Sequence, residues 1–145
     1  MVTSTAAGTI VAISAGVPAT QDLTGYAALT YTAIGGVEKL GTIGATYEKI
    51  EFQPLNGVKE KHKGPADSGA LALSLAHDNS DAGQVILRTS AGSNSLFAYK
   101  VTYPTAEIRY FQARCFGYPE NIDGASSLLM AAPTVEICSI IVKNP

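Results

Sequence analysis

The chain has 145 residues, a formal net charge of −2 and 46% hydrophobic residues, which describes one ordinary domain able to bury a core and excludes a disordered protein. Ten basic against twelve acidic side chains exclude the global positive field of a nucleic-acid-binding protein. Charged residues are only 15%, while Ala, Gly, Thr and Ser supply 59 of 145; a surface so short of charge is poorly protected against association, so the chain reads as one that lives in an assembly.

In chain order, residues 8–14 (GTIVAIS) are β-branched and predict a strand. Asp22 or Thr24 can cap a short helical turn over 25–29. Residues 30–34 and 37–40 predict strands joined by a hairpin turn at Gly35 and Gly36. Residues 47–53 alternate, with Tyr47, Lys49, Glu51 and Gln53 on one face and Glu48, Ile50 and Phe52 on the other. Residues 58–63 (VKEKHK) have strand length but almost no apolar side. Residues 68–77 predict one clean strand, with Leu71, Leu73 and Leu75 on its buried face.

Residues 80–90 predict the one good helix, with Asn79 or Ser80 as the N-cap and Asp81 in the first turn. Ala82, Val85, Ile86 and Thr89 fall at helical spacing, so that face is expected inside, with Val85 and Ile86 against the leucines. Gly92 is the expected stop. Residues 95–103 and 107–118 predict a strong strand pair whose aromatic side chains make cross-strand core contacts. Residues 119–124 predict a turn. Residues 126–132 and 134–142 predict one bulged strand interrupted at Pro133. Strands, one helix, then strands is an α+β, mainly β pattern: an antiparallel sandwich or barrel with one flanking helix, in a single domain over 1–145.

Chemistry is sparse. Cys115 and Cys138 make neither a disulfide framework nor a zinc spacing, and are expected as buried, reduced thiols. His77–Asp78, with Ser74 or Ser80 nearby, lacks the sequence context of a nucleophile elbow and reads as a strand end leading into a helix cap. No catalytic, cofactor or metal site is expected. Residues 9–15 are apolar but too short for a membrane span, with no basic residues ahead of them; the chain is expected to be made and kept in a cytoplasm.

The run GVEKLGTIGATYEKIEFQPLNGVKEKHKGPADSGALALSL, then AHDNSDAGQVILRTS, SLFAYKVTYP and the closing SLLMAAPTVEICSIIV, resembles the tail tube proteins of long-tailed bacteriophages. The resemblance covers roughly residues 30–142. It implies the phage tail tube fold, hexameric rings stacked into a hollow tube that conducts the viral genome without binding it specifically, and a place in the virion tail after assembly in the host cytoplasm. It also implies the chain itself as main partner, with tail terminator, tape measure and tail tip proteins beside it. The alternatives are a tube subunit of a secretion machine or phage-derived particle, and a small ligand-binding β domain.

Within that frame two surfaces are expected. Residues 54–67 (PLNGVKEKHKGPAD) are expected as a protruding arm, ordered on assembly and reaching a neighbouring subunit, with Pro54, Lys59, Lys61, His62, Lys63 and Asp67 as its contact residues. Lys49, Glu51 and Gln53 are expected to face the lumen, on a hairpin made by residues 47–53 and 68–77.

Overall fold

The computed structural model describes residues 3–144. Thirteen strands and two helices are formed: β1 (Ile10–Ser14), α1 (Leu23–Ala27), β2 (Thr32–Ala33), β3 (Val37–Lys39), β4 (Thr46–Phe52), β5 (Glu60–Asp67), β6 (Ala70–Ala72), β7 (Ser74–Ala76), α2 (Ala82–Ala91), β8 (Phe97–Thr102), β9 (Ile108–Cys115), β10 (Glu120–Asn121), β11 (Met130–Ala131), β12 (Thr134–Ile137) and β13 (Val142–Asn144). They make a seven-stranded sheet in the order β2-β1-β8-β9-β12-β6, with β13 also on β9, a four-stranded sheet β10-β11-β7-β3, and a separate two-stranded ribbon β4-β5. The fold is α+β and mainly β, and every strand pair among the described residues is antiparallel. No helix among the described residues is long and apolar enough to cross a membrane.

The strand pair β8–β9 is the spine. Alternation sends Phe97, Tyr99 and Val101, with Phe111, Ala113 and Cys115, into the main core, and Tyr99 stacks on Phe111 with ring centroids 5.5 Å apart. Ala98 and Tyr110 point to the other face of the sheet. There α1 lays Tyr26 against Tyr110, stacked at 5.4 Å, and Asp22 caps that helix by accepting from the amide of Gly25 at 2.8 Å. Both faces of the spine are therefore covered, which explains why no residue of β8 or β9 is exposed.

Leu71, Leu73 and Leu75 are all buried in the main core, as their alternation predicts. The single strand expected over 68–77 is instead broken at Leu73: β6 belongs to the large sheet and β7 to the small one. The bulged strand expected across Pro133 divides in the same way, β11 pairing with β7 and β12 with β6. Two neighbouring strands thus change sheets side by side. Pro133 fits this corner because it has no amide hydrogen to leave unpaired.

The helix α2 is rotated from its expected face, although Ile86 still packs against the core that holds the three leucines. Gly83, Gln84, Leu87 and Ser90 are buried, while Val85 is exposed. Ala82 and Thr89 are exposed too. The cause is Gly83: a β-carbon there would collide with the carbonyl of Ala33, so only glycine lets the helix come this close to β2. The N-cap is Asp81, whose carboxylate accepts from the Gln84 amide at 3.0 Å. Gly92 is the C-cap, as expected.

Gly35 and Gly36 do not make a hairpin turn, because β2 pairs with β1 and β3 pairs with β7. They form a corner between the sheets, with Gly36 at φ 73°. Asp81 accepts from the Gly35 amide at 3.1 Å. Gln84 donates to the carbonyls of Gly35 and Ala76 at 2.8 and 2.9 Å and accepts from the Asp78 amide at 2.9 Å. One buried amide side chain therefore ties the helix, the corner and the end of β7 together.

Candidate assembly surface

Residues 47–53 do not pair with 68–77, which lie in the body of the domain. Their partner is β5, with Thr46 opposite Asp67, Tyr47 opposite Ala66 and Phe52 opposite Glu60. Most of the segment expected as a loop-like arm is therefore a strand, and the lumen candidates and arm candidates lie on one ribbon. The strand escapes periodicity because solvent reaches both faces of it: every residue of β4, and every residue of β5 except Gly64, is exposed. No buried side forces an apolar alternation on its sequence. Gly64 and Pro65 sit at the register shift opposite Glu48, where a proline costs no ladder bond.

Residues opposite each other in an antiparallel pair share a face. One face carries the pairs Lys49–Lys63 and Glu51–Lys61. Glu51 is held between Lys49 at 2.9 Å and Lys59 at 3.2 Å, and Lys49 first, then Lys59, lowers its carboxyl below the usual range. The Lys63 ammonium lies 4.9 Å from the centre of the Tyr47 ring. The other face carries the pairs Ile50–His62 and Phe52–Glu60, and the His62 Nε2 lies 3.9 Å from a Glu60 carboxylate oxygen. Beyond the pairs, the Gln53 amide donates to the carbonyls of Pro54 and Gly57 at 2.9 and 3.0 Å and holds the turn closed. At the base, Asp67 accepts from the Gly69 amide at 3.0 Å.

The ribbon is amphipathic in an unusual sense, because its apolar side covers nothing. Ile50 and Phe52 are about half exposed, and Leu55 and Val58 at the tip stand almost wholly in solvent. Four large apolar side chains grouped on one projection are a feature that monomeric proteins rarely leave open. The sequence reading weighted the lysines of this segment and passed over these four; the signal available was the Ile50/Phe52 alternation with Leu55 and Val58 flanking the turn. A second exposed apolar group, Phe116, Ile122, Leu128 and Leu129, lies on the connections around β10 and β11; the sequence predicts strand over 126–129, and Phe116, expected in the core with the other aromatics of 107–118, falls just past the end of β9 and is exposed.

The remaining candidates resolve locally. The Asp78 carboxylate turns to the Ser80 hydroxyl at 2.7 Å and amide at 3.0 Å. These bonds lower its pKa. The His77 Nδ1 lies 3.4 Å from the Tyr118 hydroxyl, which donates to Gln84 at 3.2 Å. Neither Ser74 nor Ser80 is bonded to His77 in this arrangement. Cys115 is buried, but Cys138 is exposed, against the expectation for both; the Cys138 amide still donates to the Gln112 carbonyl of β9, and alternation puts its side chain on the outer side with Thr134. A cleft of about 850 Å³ opens beside Val11, Val37, Leu40, Ile43 and Tyr103, with Glu38 and Lys39 as its charged lining. Among the described residues no three His, Cys, Asp or Glu side chains gather as a metal site.

No family model matches the sequence, and no curated protein matches it. Solved structures do match in fold. A chain in the cryo-EM structure of the sheath/tube terminator of PVC, an extracellular contractile injection system, in its extended state superposes with a TM-score of 0.73 at 11% identity, covering 100% of this chain and 99% of that one. A chain in the baseplate of the anti-feeding prophage gives 0.71 at 8% identity, covering 99% and 97%. A chain in the extended PVC sheath-tube complex gives 0.62 at 12% identity, covering 94% and 87%. At such identities the likeness establishes a shared fold over the whole domain.

Proposed function

We propose that this chain is the structural subunit of a tail-like tube, with six copies closing into a ring and rings stacking into a hollow conduit. The observation that carries the reading is the β4–β5 ribbon, a projection whose apolar side is uncovered in the isolated chain. Burial of that side and of the tip against a second copy removes Ile50, Phe52, Leu55 and Val58 from water, and each such side chain contributes roughly 1.5–3 kcal/mol when fully buried. Low surface charge suits the same end, since charged residues are depleted at the centre of interfaces. The full-length likeness to chains from tube, terminator and baseplate assemblies supports the reading.

In this reading the ribbon is the arm that reaches a subunit of the next ring. Its hydrophilic face stays in water, so Lys49, Glu51 and Gln53 can border the bore there, and Lys59, Lys61 and Lys63 remain available to acids of the neighbour. A long-tailed phage tube conducting DNA is one form of this proposal. A tube of a phage-derived, contractile particle is the other, and it is favoured by the structural neighbours, which come from an extracellular contractile injection system and an anti-feeding prophage. A sheath protein that binds the assembled tube from outside would select the second form.

The test removes the arm and keeps its base. Residues 48–65 are replaced by an Asn-Gly turn, which leaves the Thr46–Asp67 and Tyr47–Ala66 pairs in place. Negative-stain electron microscopy should reveal rings or tubes for the intact chain, and a folded, soluble variant that does not build tubes. Tubes of normal length from the shortened chain overturn the arm, and a uniform monomer from the intact chain at every concentration overturns the tube.

A further inference from the structure

The side of the ribbon that the proposed docking buries is not purely apolar. His62 stands opposite Ile50, and Glu60 stands opposite Phe52. The imidazole Nε2 and a Glu60 carboxylate oxygen are 3.9 Å apart, with both side chains more than half exposed in the free chain. By alternation Glu48 completes this side from β4; Lys49, Lys61 and Lys63 belong to the opposite face. Thr46 lies on this side as well, so its partner Asp67 joins it at the base of the ribbon, and Glu48, Glu60 and Asp67 are the charged groups that share a side with His62.

We infer that His62 and Glu60 form a proton-operated control on ribbon docking, so that mild acid promotes assembly; the inference rests on the reading that the apolar side of the ribbon is buried between copies. The sign follows from the charges. With His62 neutral, this side presents three carboxylates, Glu48, Glu60 and, at the base, Asp67, and no cation. Docking must then take a lone Glu60 carboxylate out of water, which is costly unless the charge is paired. Histidine is the side chain whose charge changes between about pH 5 and 8. A protonated His62 pairs with Glu60 across the existing gap, and the side's charge falls from three negative to two. A compensated pair costs less to desolvate than an isolated carboxylate. Docked subunits therefore hold the His62 proton more tightly than free ones, and by linkage protons favour the docked state.

The experiment measures the concentration at which the full-length chain assembles, by light scattering with electron microscopy of the products, at about pH 5.5 and about pH 7.5 and fixed ionic strength. The intact chain should assemble at a concentration up to about tenfold lower in acid, the effect of one unit of differential proton affinity. His62→Gln should give the same concentration at both pH values. Glu60→Gln should assemble at the higher pH about as readily as the intact chain does in acid, because the lone carboxylate is gone. Both side chains are exposed on a ribbon outside the core, so folding is checked simply by circular dichroism. An intact chain indifferent to pH, or a His62→Gln chain with the full acid response, overturns the inference. The arm-shortened chain separates the two levels. If it assembles like the intact chain, the docking reading fails and this control with it; if it does not assemble while His62→Gln keeps the acid response, only the role of His62 fails.

Discussion

The amide of Leu73 donates to the carbonyl of Pro133 at 3.0 Å, at the point where two adjacent strands pass together from one sheet to the other. On one side of this bond β6 pairs with β12, and on the other β7 pairs with β11. Leu73 is 2% exposed, and Pro133 is among the fully buried side chains. The bond holds the corner, and the leucine side chain fills the space between the diverging sheets.

Leu73→Ala should therefore lower stability by about 2–5 kcal/mol, the range for a buried leucine that leaves a cavity. Chemical denaturation of the monomer measures it, and a loss under about 0.5 kcal/mol would mean that the corner collapses around the smaller side chain.

Gly83→Ala sets two effects against each other. Alanine is the better helix former by about 1 kcal/mol, yet its β-carbon would strike the Ala33 carbonyl. Backbone cannot yield as a flexible side chain does, so overpacking costing about 1–3 kcal/mol should prevail. The expected result is a lower melting temperature, and an unchanged or raised one would contradict the close approach.

Gln84→Leu keeps the volume and removes four hydrogen bonds. The carbonyls of Gly35 and Ala76 and the amide of Asp78 each lose a partner. A buried group left unsatisfied costs about 1–3 kcal/mol, so this substitution should be among the most damaging in the chain. Gln84→Glu should also be poorly tolerated, because a carboxylate cannot donate to two carbonyls. Thermal unfolding compared with that of Val85→Leu, an exposed neighbour, is the measurement.

The two thiols should differ sharply. Burial pushes the Cys115 thiol up from its ordinary value, so it stays protonated and shielded, while Cys138 is exposed and the thiolate is the reactive form. Ellman's reagent should titrate one thiol per native monomer and two after denaturation. Two fast thiols in the native state would contradict the buried position of Cys115.

Much of the spine was legible before folding. In β8 and β9 a period of two distributes large and small side chains between two covered faces, and the alternating positions Phe97, Tyr99, Val101, Phe111, Ala113 and Cys115 lie in the core. The leucine alternation at 71, 73 and 75 also places three buried side chains correctly, yet it runs unbroken through the corner at Leu73. Alternation reports which side of the chain is dry, and that side stays dry whether the strand continues in one sheet or enters another. The buried face of α2 was not legible for a different reason. It is built from Gly83, Gln84 and Ser90 as well as Leu87, and hydrophobicity cannot distinguish a glycine or a glutamine that faces inward from one that faces water.

The amino-acid sequence alone determined the class of fold, the antiparallel core and a surface poor in charge, because these follow from local periodicity and composition. Tertiary structure decided the rest. It alone paired residues 46–52 with 60–67, and so placed Ile50 opposite His62 and Phe52 opposite Glu60 on a side left open to water. Register is a relation between two distant segments, and in a ribbon wetted on both faces no buried stripe records it in either one.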